Sequence, residues 1–210
     1  GAQPVYFTTG TNSKPYLYFD GAQGLELTDA EGLTPGKPFT VFILASCAGT
    51  GSGNNLAVMG GSRTTTTAVT TTGGPWLFFG GGTPKDYLYY NETGQDNDTP
   101  PAWVGANGGV GSETADYTQT RAFLQIRDSS DNERLYVDGD HTNTSNVSTT
   151  DRGMLVTLLG RVGQRGSGTI YYTKGDVYDV AVWNSDLSTA DRNALLAYAA
   201  TKLGITKLDF

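Results

Sequence analysis

The sequence predicts an all-β sandwich or barrel closed by one short C-terminal helix. Three observations carry this. Short runs rich in β-branched and aromatic residues recur along the 210 residues. Clusters of Gly, Asn, Asp and Ser punctuate them at intervals of roughly 8–12 residues, the spacing of an all-β chain. Only one stretch, 188–203, has a helical period. Composition agrees: Gly is frequent at 29 residues and charged residues are sparse at 17%, which suits turn-rich antiparallel sheet, and Thr fits a pleated surface.

In chain order, PVYFTT and KPYLYFD open the chain as strands. PFTVFILASC follows, an apolar run too β-branched and aromatic for a helix. NLAVMGG, PWLFFGG, KDYLYYN, RAFLQIR, ERLYVDG, MLVTLLGR, GTIYYT and DVYDVAVWN read as further strands. GTGSGNN, GGGTPKD, SSDN and RGSG read as turns between them. In the hairpin RAFLQIRDSSDNERLYVDGD, alternation sets Phe123, Leu135 and Val137 on one inward face. Asp138-Gly139 favours a tight turn with positive φ. Trp76 and Trp183 lie in apolar strands and read as core. Residues 62–74 (SRTTTTAVTTTGG) read as an exposed hairpin edge or a loop, and residues 91–119 as a long irregular segment. No repeat or linker divides the chain, so residues 1–210 are expected to form one domain.

The closing stretch carries its own boundaries. Ser188 is an N-cap with Asp191 three residues on. Leu195, Leu196, Ala199 and Leu203 share one face, and Gly204 stands where a left-handed C-cap is wanted. This amphipathic helix is expected to cover one end or edge of the sandwich, without chemistry of its own.

Charge and composition exclude several functions. A net charge of -7 offers no basic footprint for nucleic acid or an anionic membrane. No apolar run approaches the roughly 20 residues of a membrane span. The single Cys47 cannot form an internal disulfide and reads as a small core residue. The chain begins Gly-Ala rather than Met, which suggests a processed chain or a piece of a longer one.

The segment GDVYDVAVWNSDLSTADRNALLAYAATKLGI resembles the C-terminal signature of laminin-G-like, concanavalin A-like domains. LYFDGAQGLEL resembles their opening strand, PFTVFILASC their first long core strand, RLYVDGD their hairpin and LLGR the strand after it. The resemblance implies a two-sheet antiparallel jelly-roll β-sandwich with the short helix at its end. It implies no particular activity, because this fold hosts many. In one respect the chain departs: where many relatives carry an acidic pair in the last strand, it has Tyr178 and Asp179. A tyrosine at the first position puts a structural Ca²⁺ there in doubt.

Catalytic patterns are not met. The one histidine, His141, follows the Asp138-Gly139 turn with no nucleophile motif near it and reads as an exposed turn residue. Asp176 and Asp179 are three apart, which on a regular strand sets them on opposite faces and not as a glycosidase pair. FLQIRD and YYTKGDVYDV echo the strands of jelly-roll alginate lyases, but Arg127 stands where the histidine would be. The Gly-rich pieces fail dinucleotide and P-loop spacings.

Binding is therefore the expected function, with residues 91–119 and the strand before them as its seat. Trp103, between prolines and glycines, reads as a ligand-facing platform or as a loop anchor packed inward. Tyr87 and Tyr89 share a face at alternate positions, and Tyr90 takes the other. Asn107, Asp116 and Tyr117 offer a carboxamide, a carboxylate and a phenol in the same segment. Glu92, Asp96 and Asp98 are the candidate metal ligands, and Ca²⁺ is the one cofactor these hard oxygens suit. The expected protein is a non-catalytic, glycan-binding recognition or adhesion module, extracellular, on a bacterial cell surface or a phage virion. Homo-oligomerisation stays open. A virion assembly subunit without a small ligand is the alternative, and a polysaccharide lyase or glycoside hydrolase is a third reading.

Overall fold

A computed structural model describes residues 3–26, 32–33, 38–47, 56–61, 77–79, 88–91, 103–104, 118–130, 132–146, 154–159, 161–163 and 170–204. In chain order the strands are β1 (Val5–Phe7), β2 (Tyr16–Asp20), β3 (Leu25–Glu26), β4 (Gly32–Leu33), β5 (Phe39–Cys47), β6 (Leu56–Gly61), β7 (Leu77–Phe79) and β8 (Leu88–Asn91). There follow β9 (Trp103–Val104), β10 (Arg121–Arg127), β11 (Asn132–Val137), β12 (Asp140–Asn146), β13 (Met154–Leu159), β14 (Arg161–Gly163), β15 (Ile170–Tyr172) and β16 (Lys174–Trp183). Helix α1 spans Thr189–Leu203.

The strands form the two sheets of a β-sandwich. One runs β1-β2-β16-β5-β10-β11-β12. The other runs β3-β13-β6-β7-β8-β9, with β4 also paired to β13, and β14 pairs with β15 beside it. Every pairing is antiparallel. The expected strands are present wherever their residues are described. Trp76 and residues 62–74 lie outside the described residues.

The helix sits elsewhere than expected. Leu196, Ala199 and Leu203 pack on Phe42 and Leu44 of β5, Ala122, Leu124 and Ile126 of β10 and Tyr178 of β16. Trp183 and Leu195 are partly buried against this cluster. The helix thus covers the outer face at the middle of the first sheet, not an end or edge of the sandwich. The cause is in the strands. Val41, Ile43, Phe123 and Val137 lie on the opposite face, so β5 is apolar on both sides. A strand without alternation needs cover on both faces, and the second sheet supplies only one.

Both ends of the helix are closed as the sequence implies. Ser188 Oγ accepts from the Asp191 N–H at 3.2 Å and donates to Asp191 Oδ2 at 2.6 Å. Gly204 is left-handed (φ 68°), and its N–H donates to Ala200 O. Two of the carbonyls a helix C-terminus leaves over, those of Thr201 and Lys202, accept from the Asn12 side chain. Thr40, buried in β5, donates to Ser185 O and accepts from the Leu187 N–H, fixing the segment that leads into the helix.

The Asp138-Gly139 turn is as expected, with φ of 53° and 92°. Asp138 also bridges strands: it accepts from the Ala122 N–H at 2.8 Å and from Arg121 at 2.6 Å.

Candidate functional site

The expected binding residues are divided. Trp103 lies in β9 and Tyr89 in β8, at the edge of the second sheet. Trp103 pairs with Asn91 and Val104 with Tyr90, so the segment 91–119 is not irregular throughout. Two β-prone residues suffice to extend an open sheet edge by a short strand. Strand β9 also lies against β11 and β12 of the first sheet. Tyr87, Asn107, Asp116, Tyr117, Glu92, Asp96 and Asp98 lie outside the described residues. His141 belongs to β12, opposite Tyr136, rather than to the turn before it. Among the described residues, no three His, Cys, Asp or Glu side chains gather as metal ligands would.

The described residues carry a different cluster of ligand-type side chains, on the outer face of β1, β2 and β16. Antiparallel register sets Val5 opposite Tyr18 and Phe7 opposite Tyr16. Alternation then turns Val5, Phe7, Tyr16 and Tyr18 to one face. Phe7 stacks on Tyr16 (centroids 5.0 Å, planes 11° apart), and Tyr18 meets Phe7 edge-on at 6.3 Å. Val5 and Phe7 are 48% and 41% exposed, large values for apolar side chains within a strand. Tyr178 tilts against Tyr16, with ring centroids 5.3 Å apart.

The turn before β2 holds this cluster in place. The Thr11 N–H donates to the Tyr178 hydroxyl, which donates to Thr11 Oγ1, both at 3.0 Å. Gly10 presses on Tyr16: a Cβ added there would stand 2.5 Å from Tyr16 Cδ1 and 2.9 Å from the Tyr178 hydroxyl. Only glycine fits against the ring in that position. Asn12 and Ser13 complete the turn in the left-handed region, at φ 52° and 56°.

Asp176 stands opposite Tyr18 on β16. Asp179 lies on the same outer face, contrary to the parity expected of a regular strand. A β-bulge between Val177 and Asp179 is the reason: Asp176 faces Ser46 and Asp179 faces Leu44, two residues apart on β5. The two acids do different work. Asp179 is engaged, accepting from Lys202 and from the Tyr198 hydroxyl, each at 2.6 Å. Burial alone would lower the Lys202 pKa, but bonds to Asp179 and Tyr198 raise it. Burial and the bond to Asp179 raise that of Tyr198.

The Asp176 carboxylate has no hydrogen-bond or ion-pair partner among the described residues. Half-burial without compensation pushes its pKa up. The Tyr16 phenol is also pushed up, first by burial and then by Asp176 and the neighbouring phenols. The Tyr16 and Tyr18 hydroxyls likewise have no partner among the described residues. The face therefore presents aromatic surface, two hydroxyls that can donate and a carboxylate that can accept.

Arg127 is 2% exposed, on the inward side of β10 with Gln125. The position that echoes a lyase histidine is thus closed to a polysaccharide. Asp128 is structural, accepting from the Ser130 N–H and from Arg134.

No family model and no curated protein matches the chain. Solved structures do share its fold. The CBM40 domain of Ruminococcus gnavus IT-sialidase, bound to α2,3-sialyllactose, aligns with a TM-score of 0.61 at 14% identity, covering 86% of this chain and 95% of that one. Domain 4 of AbnA, an extracellular GH43 arabinanase of Geobacillus stearothermophilus, in complex with arabinotriose, aligns at 0.57 and 14%, covering 90% and 78%. The SAP-like pentraxin of Limulus polyphemus aligns at 0.53 and 13%, covering 83% and 77%. No helix of the described residues is long and apolar enough to cross a membrane.

Proposed function

We propose that the chain is a non-catalytic glycan-recognition module that works outside the cell, as part of a bacterial surface protein or a phage virion. The observation that carries this is the outer-face cluster: Phe7, Tyr16 and Tyr18 beside the Asp176 carboxylate, which has no partner among the described residues. Sugars have an apolar C–H face that packs on aromatic rings and hydroxyls that bond to carboxylates and phenols. The sandwich fold shared with sugar-bound domains supports the reading. So does the resemblance of the last strand and helix to laminin-G-like, concanavalin A-like domains.

In this reading residues 1–210 act as one domain. Trp103 and Tyr89, at the edge of the second sheet, supply a second contact together with Tyr87, Asn107, Asp116 and Tyr117, and Glu92, Asp96 and Asp98 hold Ca²⁺. A glycan array with the full chain tests the proposal, repeated for Phe7→Ala, Trp103→Ala and with a calcium chelator. Glycan binding weakened by Phe7→Ala is the expected result. Binding to no glycan overturns the proposal. Binding lost only with Trp103→Ala or chelation moves the site to the sheet edge.

A further inference from the structure

We infer that the outer-face site takes a neutral saccharide, one that places two adjacent hydroxyls on Asp176, and discriminates against acidic sugars. The inference rests on the glycan-binding reading above and adds the ligand class.

Charge placement argues for it. Across the pleat, Asp20 and Lys174 occupy the next register pair beyond Tyr18 and Asp176, and Tyr178 follows on β16. Within this row Asp176 is the charged group opposite the exposed rings. The Lys174 stem runs over Gly21, where a Cβ would lie 3.7 Å from Lys174 Cβ and Cδ. Burial raises the Asp176 pKa, and among the described residues no cation bonds to its carboxylate. Of the other acids on this face, Asp179 is paired with Lys202 at 2.6 Å, and Asp20 stands opposite Lys174 and accepts from the Ala22 N–H. A sugar carboxylate brought onto the rings would meet an uncompensated negative charge. A pair of sugar hydroxyls would instead give that carboxylate the donors it lacks, one to each oxygen.

The phenols agree with this. The Tyr16 pKa is raised, so the group stays a neutral donor near pH 7 and adds no charge of its own. Rings and hydroxyls recognise sugars of either kind, so the choice between neutral and acidic falls to Asp176.

The test uses the full chain on an array of neutral and carboxylated glycans, followed by calorimetry on matched pairs such as lactose and α2,3-sialyllactose. Neutral glycans are expected to bind, with their carboxylated counterparts at least about tenfold weaker. Asp176→Asn should weaken the neutral ligand about tenfold and narrow the gap to the acidic one. Unchanged thermal unfolding cooperativity shows that this variant is folded. Tighter binding of the acidic partner, or an Asp176→Asn variant that binds neutral sugar as before, overturns the inference and leaves glycan binding standing. Binding to no glycan overturns both.

Discussion

Lys202, in the last turn of the helix, lies 2.6 Å from Asp179 of the last strand, and the Tyr198 hydroxyl donates to the same carboxylate oxygen. The contact locks the helix to the sheet at the bulge that turns Asp179 to the outer face. The Lys202 pKa is raised above its ordinary value of 10.5. A raised value means that the folded state holds the proton more tightly. The stabilisation is complete below 10.5 and is lost as pH rises through the folded value. Tyr198, also raised, acts in the same direction. Lys202→Met should cost about 1–2 kcal/mol at neutral pH, since the pair is only partly buried. It should also flatten the decline at alkaline pH. Urea unfolding across the alkaline range checks both.

Gly10→Ala is predicted to do more than its size suggests. The added methyl must displace the Tyr16 ring or the Thr11 turn, because it would stand 2.5 Å from Tyr16 Cδ1. Overpacking of this kind costs about 1–3 kcal/mol. Moving Tyr16 also breaks the Phe7 stack, so glycan affinity should fall with stability. Thermal unfolding and calorimetry read the two losses. A variant of unchanged stability and unchanged affinity would mean that Gly10 is not packed as described.

Leu196→Ala should cost about 2–5 kcal/mol, measured by denaturant unfolding. Its side chain is buried where the helix meets β5 and β10, and neither strand can close the gap without losing its own pairing. The exposed helix residue Ala197 has no such role, and Ala197→Ser should stay within about 0.5 kcal/mol of the parent.

Much of this architecture is legible in the sequence, for identifiable reasons. Ser188, Asp191 and Gly204 bound the helix because caps are local chemistry. Asp138-Gly139 marks its turn because few residues accept positive φ at both positions. The mainly apolar run from Phe39 to Cys47 implies a strand covered on both faces, but not that the helix is the cover. Strand β12 carries no apolar alternation in HTNTSN; its partner β11 and the turn place it. The bulge at Tyr178 leaves no mark in composition, and it alone brings Asp176 and Asp179 to one face. The outer cluster had a signal in the alternate pairs Val5/Phe7 and Tyr16/Tyr18. It becomes a site only when register sets them against one another and against Asp176, residues distant in sequence.

Asp176→Asn should stabilise the protein at neutral pH. The Asp176 pKa is raised from 3.8 by burial, with no partner among the described residues to offset it. The folded state therefore binds this proton more tightly than the unfolded chain does. Its relative stability is highest below 3.8 and falls as pH rises through the folded value. Above that range the carboxylate works against folding, and an uncharged carboxamide of the same shape does not. The variant should melt at a higher temperature near pH 7, and the two should coincide well below 3.8. Calorimetry at several pH values checks this. A group that costs stability in the free protein and gains its missing donors from a ligand has the energetics of a binding residue. A bound neutral saccharide should consequently raise the melting temperature of the parent chain more than that of Asp176→Asn. An equal rise in both would detach the carboxylate from the ligand.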